Sequence, residues 1–324
     1  MMGLSGIVSA IKDNKNKCFA VASHKNLEGD AIGSMLAMSE LLRSAGKKVV
    51  LLAPENMPQV YKFLPNQSLI KARKDPRRIR YDIACLLDCT DLDRLGNAKA
   101  GIDPSLPILN IDHHISNQYY GTVNWVDPRM SCSGEQVYHL FKKTGLAINK
   151  NAALYMYIAI LTDTGSFKYS NTTAITHKVV SELLSYGICP VDIYRKVYEG
   201  ISAGYLGLLA SVLATLDMDQ PAGLAWVEVR QDMLNKYHCG IDDAQDFVNY
   251  PRSMKGVKIA IAFKEDSGGV VKVSFRSNDG YDVNKLAGYF GGGGHAAASG
   301  CVIKDKFDAV KKTVLAKSRK FLLG

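Results

Sequence analysis

The sequence predicts an α/β protein with two domains, in which a parallel sheet covered by helices is followed by a smaller mixed α/β domain. Short apolar runs alternate with helical segments through the first 190 residues, which is typical of a parallel sheet covered on both faces. Pro221 and Gly223 then interrupt a less regular helical region, and strand-like runs dominate after them. A length of 324 residues suits two domains, since one domain usually takes ~100–200 residues.

The elements of the first domain, residues 1–190, follow from the spacing of its apolar residues. A short helix is predicted around residues 7–11, and a longer helix between Asp30 and Gly46, because apolar side chains recur there at helical spacing. The predicted strands cover residues 18–23, 49–52, 82–87 and 108–111. Further helices are predicted at residues 133–144, 151–161 and 173–186.

The rest of the chain is predicted to form a helical connector, residues 191–222, and the second domain, residues 223–324. The predicted strands of this domain lie near residues 224–229, 257–263, 270–275 and 301–303. A glycine run at residues 291–294 precedes the last strand, and a terminal helix follows it. Strands outnumber helices here, which indicates a mixed sheet rather than a repeated strand–helix unit.

The composition bears on partners and compartment. The 40 Lys and Arg residues exceed the 31 Asp and Glu residues and give a formal net charge of +9, which favours a polyanionic ligand, although a surface adapted for solubility would look the same. The seven cysteines are scattered without a C-x-x-C pair, as expected of reduced core thiols in a cytoplasmic protein. No apolar run approaches ~20 residues, and the N-terminus turns polar too early for a signal peptide, so we expect neither a membrane span nor export.

Polar residues collect where the predicted strands and one helix end. They are His24, Glu28, Asp30, Asp88, Asp112, His113, His114 and Asp163. The carboxyl ends of parallel strands meet at one edge of a sheet, where open α/β folds place their chemistry. A lone Asp at such an end is often a helix cap, so the prediction rests on the set and not on any single member.

These side chains converge on one edge of the sheet, where they would repel one another unless cations neutralised the charge of the carboxylates. Two divalent ions sharing a bridging carboxylate would do so, and such a pair can activate a water for attack on phosphorus. Nitrogen and oxygen ligands without thiolate favour Mn²⁺, with Mg²⁺, Co²⁺ or Zn²⁺ as alternatives. The sequence therefore predicts a two-metal site.

A second candidate site lies near the C-terminus. Arg276 ends a predicted strand, and the glycine run 291–294 leads directly to His295. Consecutive glycines allow a backbone to approach a ligand closely and to turn its N–H groups towards an anion. Arg276 and His295 would add positive charge for a phosphate or a carboxylate. A merely flexible loop is the alternative interpretation of the glycine run.

These motifs resemble those of the DHH phosphoesterases. The Asp112-His113-His114 triplet, the loop from His24 to Asp30, Asp88 and Asp163 match the metal motifs of that family in order. The glycine run and His295 resemble the C-terminal domain associated with its shorter members, in particular the group of bifunctional oligoribonuclease/pAp phosphatases (NrnA-type nanoRNases). The resemblance covers nearly the whole chain.

The resemblance implies roles for individual residues. His24, Glu28 and Asp88 would hold one metal ion, and Asp30, Asp88, His113 and Asp163 the other, so that Asp88 bridges the two. His114 would position the scissile phosphate, and Asp112 would orient the histidines. These residues and Asp88 would carry catalysis. The nucleotide would be bound by Arg276, Gly292, Gly293, Gly294 and His295 across a cleft between the domains.

The resemblance also implies substrates and partners. It implies manganese-dependent release of 5′-mononucleotides from very short RNA oligonucleotides and removal of the 3′-phosphate of 3′-phosphoadenosine 5′-phosphate (pAp). Linear or cyclic dinucleotides or inorganic pyrophosphate are alternative substrates, and a nucleotide-binding protein with an impaired metal site is an alternative of another class. A homodimer through the large domain is a further expectation from the family.

One residue departs from the family pattern. Glu28 stands where the family loop usually carries Asp, and its extra methylene moves the carboxylate by about a bond length. The outcome is left open by the sequence: a normal site after adjustment of the loop, a weaker first metal site with altered metal choice, or a partly impaired enzyme. Leu27 stands where the family often has Pro, which gives the loop freedom to adjust.

Overall fold

The structure, a computed structural model, describes residues 3–72, 75–278 and 280–323. The chain divides into two compact units, Met1–Glu199 and Gly200–Gly324. The predicted connector, residues 191–222, falls across this division, because its first helix belongs to the first unit and its second helix to the second. Each unit has its own hydrophobic core.

The first unit contains a sheet of five parallel strands, as the sequence predicted. The strands are β1 (Cys18–Ala22), β2 (Lys48–Leu52), β3 (Ile83–Leu87), β4 (Ile108–Asp112) and β5 (Val123–Val126). They lie in the order β2-β1-β3-β4-β5, and every neighbouring pair is parallel. Strand β5 was not predicted, because its four residues include Asn124 and are only partly buried at the edge of the sheet. The parallel order brings the ends of β1, β3 and β4 side by side.

Helices cover this sheet. They are α1 (Leu4–Lys12), α2 (Gly29–Ser44), α3 (Ser133–Thr144), α4 (Lys150–Asp163), α5 (Ala174–Leu184) and α6 (Pro190–Tyr198). The 3-10 helices of this unit are Gln59–Tyr61, Gln67–Leu69, Pro76–Arg78 and Leu92–Gly101. Helix α3 has the predicted bounds, and α4 is longer than predicted by one residue at its start and two at its end.

Close packing between helices depends on residues without bulky side chains. A Cβ atom on Gly134 of α3 would overlap the Cβ of Ala159 in α4, and a Cβ on Gly29 would overlap the side chain of Thr162. Gly29 is the first residue of α2 and has an ordinary φ, and glycine is required there because α4 passes so closely.

The second unit contains a six-stranded mixed sheet. Its strands are β6 (Asp217–Asp219), β7 (Leu224–Val229), β8 (Ile259–Asp266), β9 (Val270–Ser277), β10 (Gly293–Gly294) and β11 (Ala298–Lys304), and their order is β10-β11-β9-β8-β7-β6. Its helices are α7 (Ala203–Leu213), α8 (Gln231–Tyr237), α9 (Asn249–Arg252), α10 (Val283–Gly288) and α11 (Phe307–Leu323), with a 3-10 helix at Ile241–Val248. None of the helices in the described ranges is both long and apolar enough to span a bilayer.

Candidate metal centre

Asp88 lies at the centre of the predicted site, directly after β3. Its backbone adopts a φ of +52°, a left-handed conformation that is uncommon for residues other than glycine and often marks a functional position. The side chain is buried, with 3% of the residue exposed. Among the described residues, its Oδ1 atom has no hydrogen-bond partner. A buried carboxylate oxygen without a donor is a position that a cation can fill.

The imidazole of His113 faces two carboxylates at similar distances. Its Nε2 atom lies 3.6 Å from Oδ1 of Asp88 and 3.6 Å from Oδ2 of Asp163. These distances are longer than an ordinary N–H···O hydrogen bond. Two ligands that share an ion at bond lengths of ~2.0–2.2 Å lie ~3–3.5 Å apart. The spacing therefore fits atoms that share a metal ion better than atoms that bind each other.

His24 approaches Asp88 from the other side. Its Nδ1 donates to the carbonyl oxygen of Lys25 at 2.6 Å, so the neutral ring presents the lone pair of Nε2 to Oδ2 of Asp88, 3.1 Å away. A lone pair and a carboxylate oxygen at that distance need a proton or a metal ion between them. The backbone contact of His24 thus fixes the tautomer that a metal ligand requires.

Glu28 has two structural roles at once. Its carboxylate caps α2 by accepting the N–H groups of Asp30, at 2.8 Å, and Ala31, at 2.6 Å. Its Oε1 atom also lies 3.9 Å from Nε2 of His24. The longer side chain thus reaches the site while it caps the helix that carries Asp30.

Asp112 is surrounded by hydrogen-bond donors. Its Oδ1 accepts the backbone N–H of His113 at 2.8 Å and Nδ1 of His114 at 2.8 Å. Its Oδ2 accepts Nδ2 of Asn117 at 2.6 Å. Asp112 is therefore placed to fix the ring of His114, whose Nε2 remains available to a substrate. Asn117 was not predicted, because its only signal in the sequence is its position three residues after the triplet.

The remaining two acids, Asp30 and Asp163, accept hydrogen bonds from groups that were not predicted from the sequence. The two carboxylate oxygens of Asp30 accept the N–H groups of Ser133 and Gly134, both at 2.8 Å, at the start of α3. Oδ2 of Asp163 accepts Nδ2 of Asn171 at 3.1 Å. Each oxygen keeps a further lone pair, so these contacts orient the acids without excluding a metal ion.

Burial and mutual repulsion perturb the acids of this cluster. Loss of hydration, then the charge of Asp88, raises the pKa of Glu28 to about 7 and that of Asp30 well above its usual range. Loss of hydration also raises the pKa of Asp163 to about 6. Burial alone would lower the pKa of His113, but the close negative charges of Asp88, Asp30 and Asp163 raise it. The cluster carries more negative charge than its imidazoles neutralise, which a divalent ion would relieve.

The ligand atoms form two groups that share one residue. His24, Glu28 and Asp88 make up one group, in which a ligand atom of each residue lies within 4.8 Å of the others. Asp88, Asp112, His113 and His114 make up the other by the same measure. Asp30 and Asp163 lie beside the second group. The donors are nitrogen and oxygen, which suits a transition metal such as manganese.

The predicted nucleotide-binding residues also come together within the second unit. Arg276 of β9 pairs with Ala298 of β11, and a tight turn joins His295 to Ala298 through hydrogen bonds of 2.7 and 3.1 Å. His295, Gly293 and Gly294 are exposed. The glycine run does not form a free loop, because Gly293 and Gly294 form the short strand β10 against β11.

Two of these glycines are required by the fold itself. A Cβ atom on Gly292 would overlap Cys301 and the carbonyl oxygen of Gly300, and one on Gly294 would lie within 3.0 Å of Ala298 and Ser299 atoms. The close approach predicted from the glycine run is therefore, at these two positions, an approach to β11.

Two protein-family models match the chain, one within each of its two compact units. Residues 18–160 match the model of the DHH family N-terminal domain, and residues 238–320 match the DHHA1 domain. The fold and the site together define an enzyme of the phosphoesterase class.

Relatives extend the match over most of the chain. The bifunctional oligoribonuclease and PAP phosphatase NrnA of Thermus thermophilus is 30% identical over 286 residues, which cover 88% of this chain and 83% of that protein. The NrnA protein of Bacillus subtilis is 27% identical, covering 86% of this chain and 87% of its own. A solved exopolyphosphatase-related protein of Bacteroides fragilis shares 29% identity with a TM-score of 0.89, covering 99% and 97% of the two chains. This chain belongs to the DHH family.

Proposed function

We propose that this enzyme hydrolyses very short RNA oligonucleotides to 5′-mononucleotides and removes the 3′-phosphate of pAp. The two NrnA relatives support this proposal, since each is a bifunctional oligoribonuclease and PAP phosphatase. The formal net charge of +9 is in keeping with polyanionic substrates. The seven free cysteines suit a reducing compartment, and we place the activity in the cytoplasm.

Two divalent ions, manganese for preference, would serve this reaction. Asp88 would ligate both, since its carboxylate belongs to both groups of ligand atoms. His24 and Glu28 would complete one site, and the other would be completed by Asp30, His113 and Asp163. Bound divalent ions would supply an activated water and offset the negative charge that develops on the phosphate.

The observation that carries the proposal is the environment of the Asp88 carboxylate. Its Oδ1 is buried without a hydrogen-bond donor in the described part of the chain, although Nε2 of His113 and Nδ1 of His114 lie 3.6 and 3.4 Å away. In a buried aspartate with a purely structural role, this oxygen would accept hydrogen bonds from neighbouring donors. An oxygen left open between imidazoles is in keeping with a metal bridge.

Residues outside the ligand set would bind and orient the substrate. His114 is held by Asp112 through Nδ1, so its Nε2 would contact the scissile phosphate. In the second unit, Arg276, Gly292, Gly293, Gly294 and His295 would bind the nucleotide. Glu28 reaches His24 from its cap position, which favours a normal first metal site over an impaired one.

An assay of the purified chain with Mn²⁺ tests this function. The substrates are 5′-labelled RNA of two to five nucleotides, pAp and inorganic pyrophosphate, and Asp88→Asn is the control. We expect mononucleotides from the shortest RNAs and phosphate from pAp. Turnover of pyrophosphate alone would change the substrate class, and binding of nucleotide without turnover by any divalent ion would indicate an impaired metal site.

A further inference from the structure

Glu135 is a buried acid that belongs to neither group of candidate ligand atoms. It lies in the first turn of α3, and only 1% of the residue is exposed. In the described part of the chain, no lysine or arginine forms an ion pair with its carboxylate, and the imidazole of His139 approaches it with Nε2 3.9 Å from Oε1. Glutamate is almost never fully buried without a close partner, because the charge loses its hydration. Hydrogen bonds must therefore hold this carboxylate.

Three hydrogen-bond donors converge on Oε2 of Glu135. The backbone N–H of Ser131 donates to it at 3.3 Å, and the hydroxyl group of Ser131 donates as well. The hydroxyl group of Thr176, in the first turn of α5, donates at 3.1 Å from 41 residues further along the chain. Burial alone would raise the pKa of Glu135, but the nearby imidazole and these hydrogen bonds lower it. Glu135 is therefore an anion at neutral pH, and it ties the chain before α3 to α5.

Ser131 also leads to one acid of the candidate metal centre. Its carbonyl oxygen accepts Nδ2 of Asn171 at 2.8 Å. The same Nδ2 donates to Oδ2 and to the backbone carbonyl oxygen of Asp163, both at 3.1 Å. The amide group of Asn171 thus joins the residue that Glu135 holds to a carboxylate that would bind an ion. The path from Glu135 to Asp163 runs through these two residues alone.

The start of α3 contacts two further acids of the centre. The first two N–H groups of α3 donate to the carboxylate of Asp30, both at 2.8 Å. Nε2 of the buried Gln136 donates to the carbonyl oxygen of Asp112 at 3.1 Å. Residues 131–136, which we call the α3 entry, are therefore linked by hydrogen bonds to three acids at once. A fully satisfied buried network of this kind holds its members in one arrangement.

We propose that Glu135 is a positioning residue of the metal centre, which fixes the α3 entry and through it the carboxylates of Asp30 and Asp163. The inference rests on the proposed function, in which these two acids hold the same ion. A displacement of the α3 entry would move both carboxylates, and a metal site tolerates errors of only ~0.2 Å in its ligand distances. Neither His24 nor Glu28 makes a described hydrogen bond with the α3 entry. Loss of Glu135 should therefore weaken the binding of one ion more than that of the other.

Manganese binding by the full chain, followed by electron paramagnetic resonance, is the first test. Two neighbouring Mn²⁺ ions give a spin-coupled spectrum, which we expect of the wild type. Glu135→Ala removes the acceptor and should weaken the binding of one ion about 10- to 100-fold, so that an isolated ion is seen where the wild type shows the pair. Glu135→Gln keeps an oxygen for the three donors and should recover most of the affinity. Wild-type affinity for both ions in Glu135→Ala would overturn the proposal.

Glu182→Ala is the matched control for a loss of helix packing. Glu182 links the same two helices, because its carboxylate on α5 accepts the hydroxyl group of Tyr138 at 2.6 Å and Nζ of Lys142 at 3.0 Å, both on α3. Its described hydrogen bonds do not include the α3 entry. We expect this variant to bind both ions as the wild type does. An equal loss of one ion in Glu182→Ala would assign the effect to helix packing and overturn the positioning role.

Ser131→Ala keeps the proposal testable if Glu135→Ala does not fold. It removes one donor to Glu135 and leaves the carbonyl oxygen that accepts Asn171. We expect the binding of the same ion to weaken, by less than in Glu135→Ala. Thermal unfolding in EDTA reports the structural contribution of each variant. A lower Tm of Ser131→Ala with unchanged affinity for both ions would assign the network to the fold alone and overturn the positioning role.

Turnover of pAp separates this inference from the proposed function. Glu135→Ala should need about 10- to 100-fold more Mn²⁺ for half-maximal turnover. The KM for pAp at saturating Mn²⁺ should stay close to that of the wild type, because the described contacts of Glu135 include no residue proposed to bind substrate. If the wild type hydrolyses neither pAp nor short RNA while Glu135→Ala still loses one ion, the proposed function fails and the positioning role stands. If the wild type hydrolyses pAp and Glu135→Ala needs no more Mn²⁺, the positioning role fails and the function stands.

Discussion

Oδ1 of Asp30 at the start of α2 accepts the backbone N–H of Gly134 at the start of α3, over 2.8 Å and across 104 residues of sequence. A helix N-terminus carries partial positive charge and free N–H groups, so it stabilises a carboxylate. Gly134 has no room for a Cβ because Ala159 of α4 lies against it. One acid of the candidate metal centre is therefore placed by the mutual packing of three helices.

This packing gives the first prediction. Gly134→Ala should overlap the Cβ of Ala159, displace α3 from Asp30, and destabilise the protein by about 1–3 kcal/mol. Ala159→Gly opens the space but weakens α4 by about 1 kcal/mol. We expect the double variant to recover part of the stability lost by Gly134→Ala, which a double-mutant cycle of urea unfolding would measure.

A control variant, Gly288→Ala, tests whether replacing any helical glycine by alanine has the same effect. Gly288 ends α10 with an ordinary φ, and no atom beyond its chain neighbours and its own helix backbone lies within 4 Å of the position that a Cβ there would occupy. Gly288→Ala should leave the unfolding free energy unchanged or slightly higher. Additive losses in the double variant would show that Gly134 and Ala159 do not interact.

The second prediction concerns Asp88. Asp88→Asn removes the charge shared by both groups of ligand atoms, and we expect activity to fall by at least about 100-fold. Bound manganese, measured after dialysis, should fall together with activity. The fold should persist, because the substitution keeps the volume of the side chain. Retained turnover would contradict the role of Asp88 as a bridge.

The sheet and the cluster of candidate metal ligands could be predicted because both leave local signals in the sequence. A buried parallel strand is a continuous apolar run, as in Ile83–Leu87, and its polar continuation, such as Asp88, marks the strand end. That these ends meet at one edge of the sheet then follows from parallel pairing, which the structure confirms.

The supporting residues could not be predicted, because their signals are not local. Gly134 and Asp30 meet only after three helices have packed, and nothing in either segment of the sequence indicates the other. The short strand β5 lacks an apolar run. Gly292 and Gly294 are conspicuous in sequence, yet the backbone that requires them lies in β11. Long-range packing thus decided what local patterns left open.

The third prediction concerns Asn117, which was not predicted from the sequence. Its Nδ2 donates to Oδ2 of Asp112 at 2.6 Å, and Oδ1 of the same carboxylate holds Nδ1 of His114. Asn117→Ala should lower kcat about 10- to 100-fold through loss of the orientation of His114, with a smaller change in KM. Bound manganese should change less than kcat. A loss confined to thermal stability would show that Asn117 supports only the fold.

The fourth prediction is a pH dependence of the metal-free protein. The pKa of Asp163 is raised from 3.8 to about 6 in the folded state, so the folded protein binds this proton more tightly than the unfolded chain does. The destabilisation is full above pH 6 and is relieved as the pH falls from about 6 towards 3.8. Glu28 and Asp30 shift in the same direction. In EDTA, the Tm should therefore decrease as the pH rises from 5 to 7.

Asp163→Asn tests the contribution of this carboxyl group. The loss of unfolding free energy as the pH rises should be smaller in the variant by about 2 kcal/mol, after allowance for solvent screening. A variant curve parallel to that of the wild type would contradict the assignment.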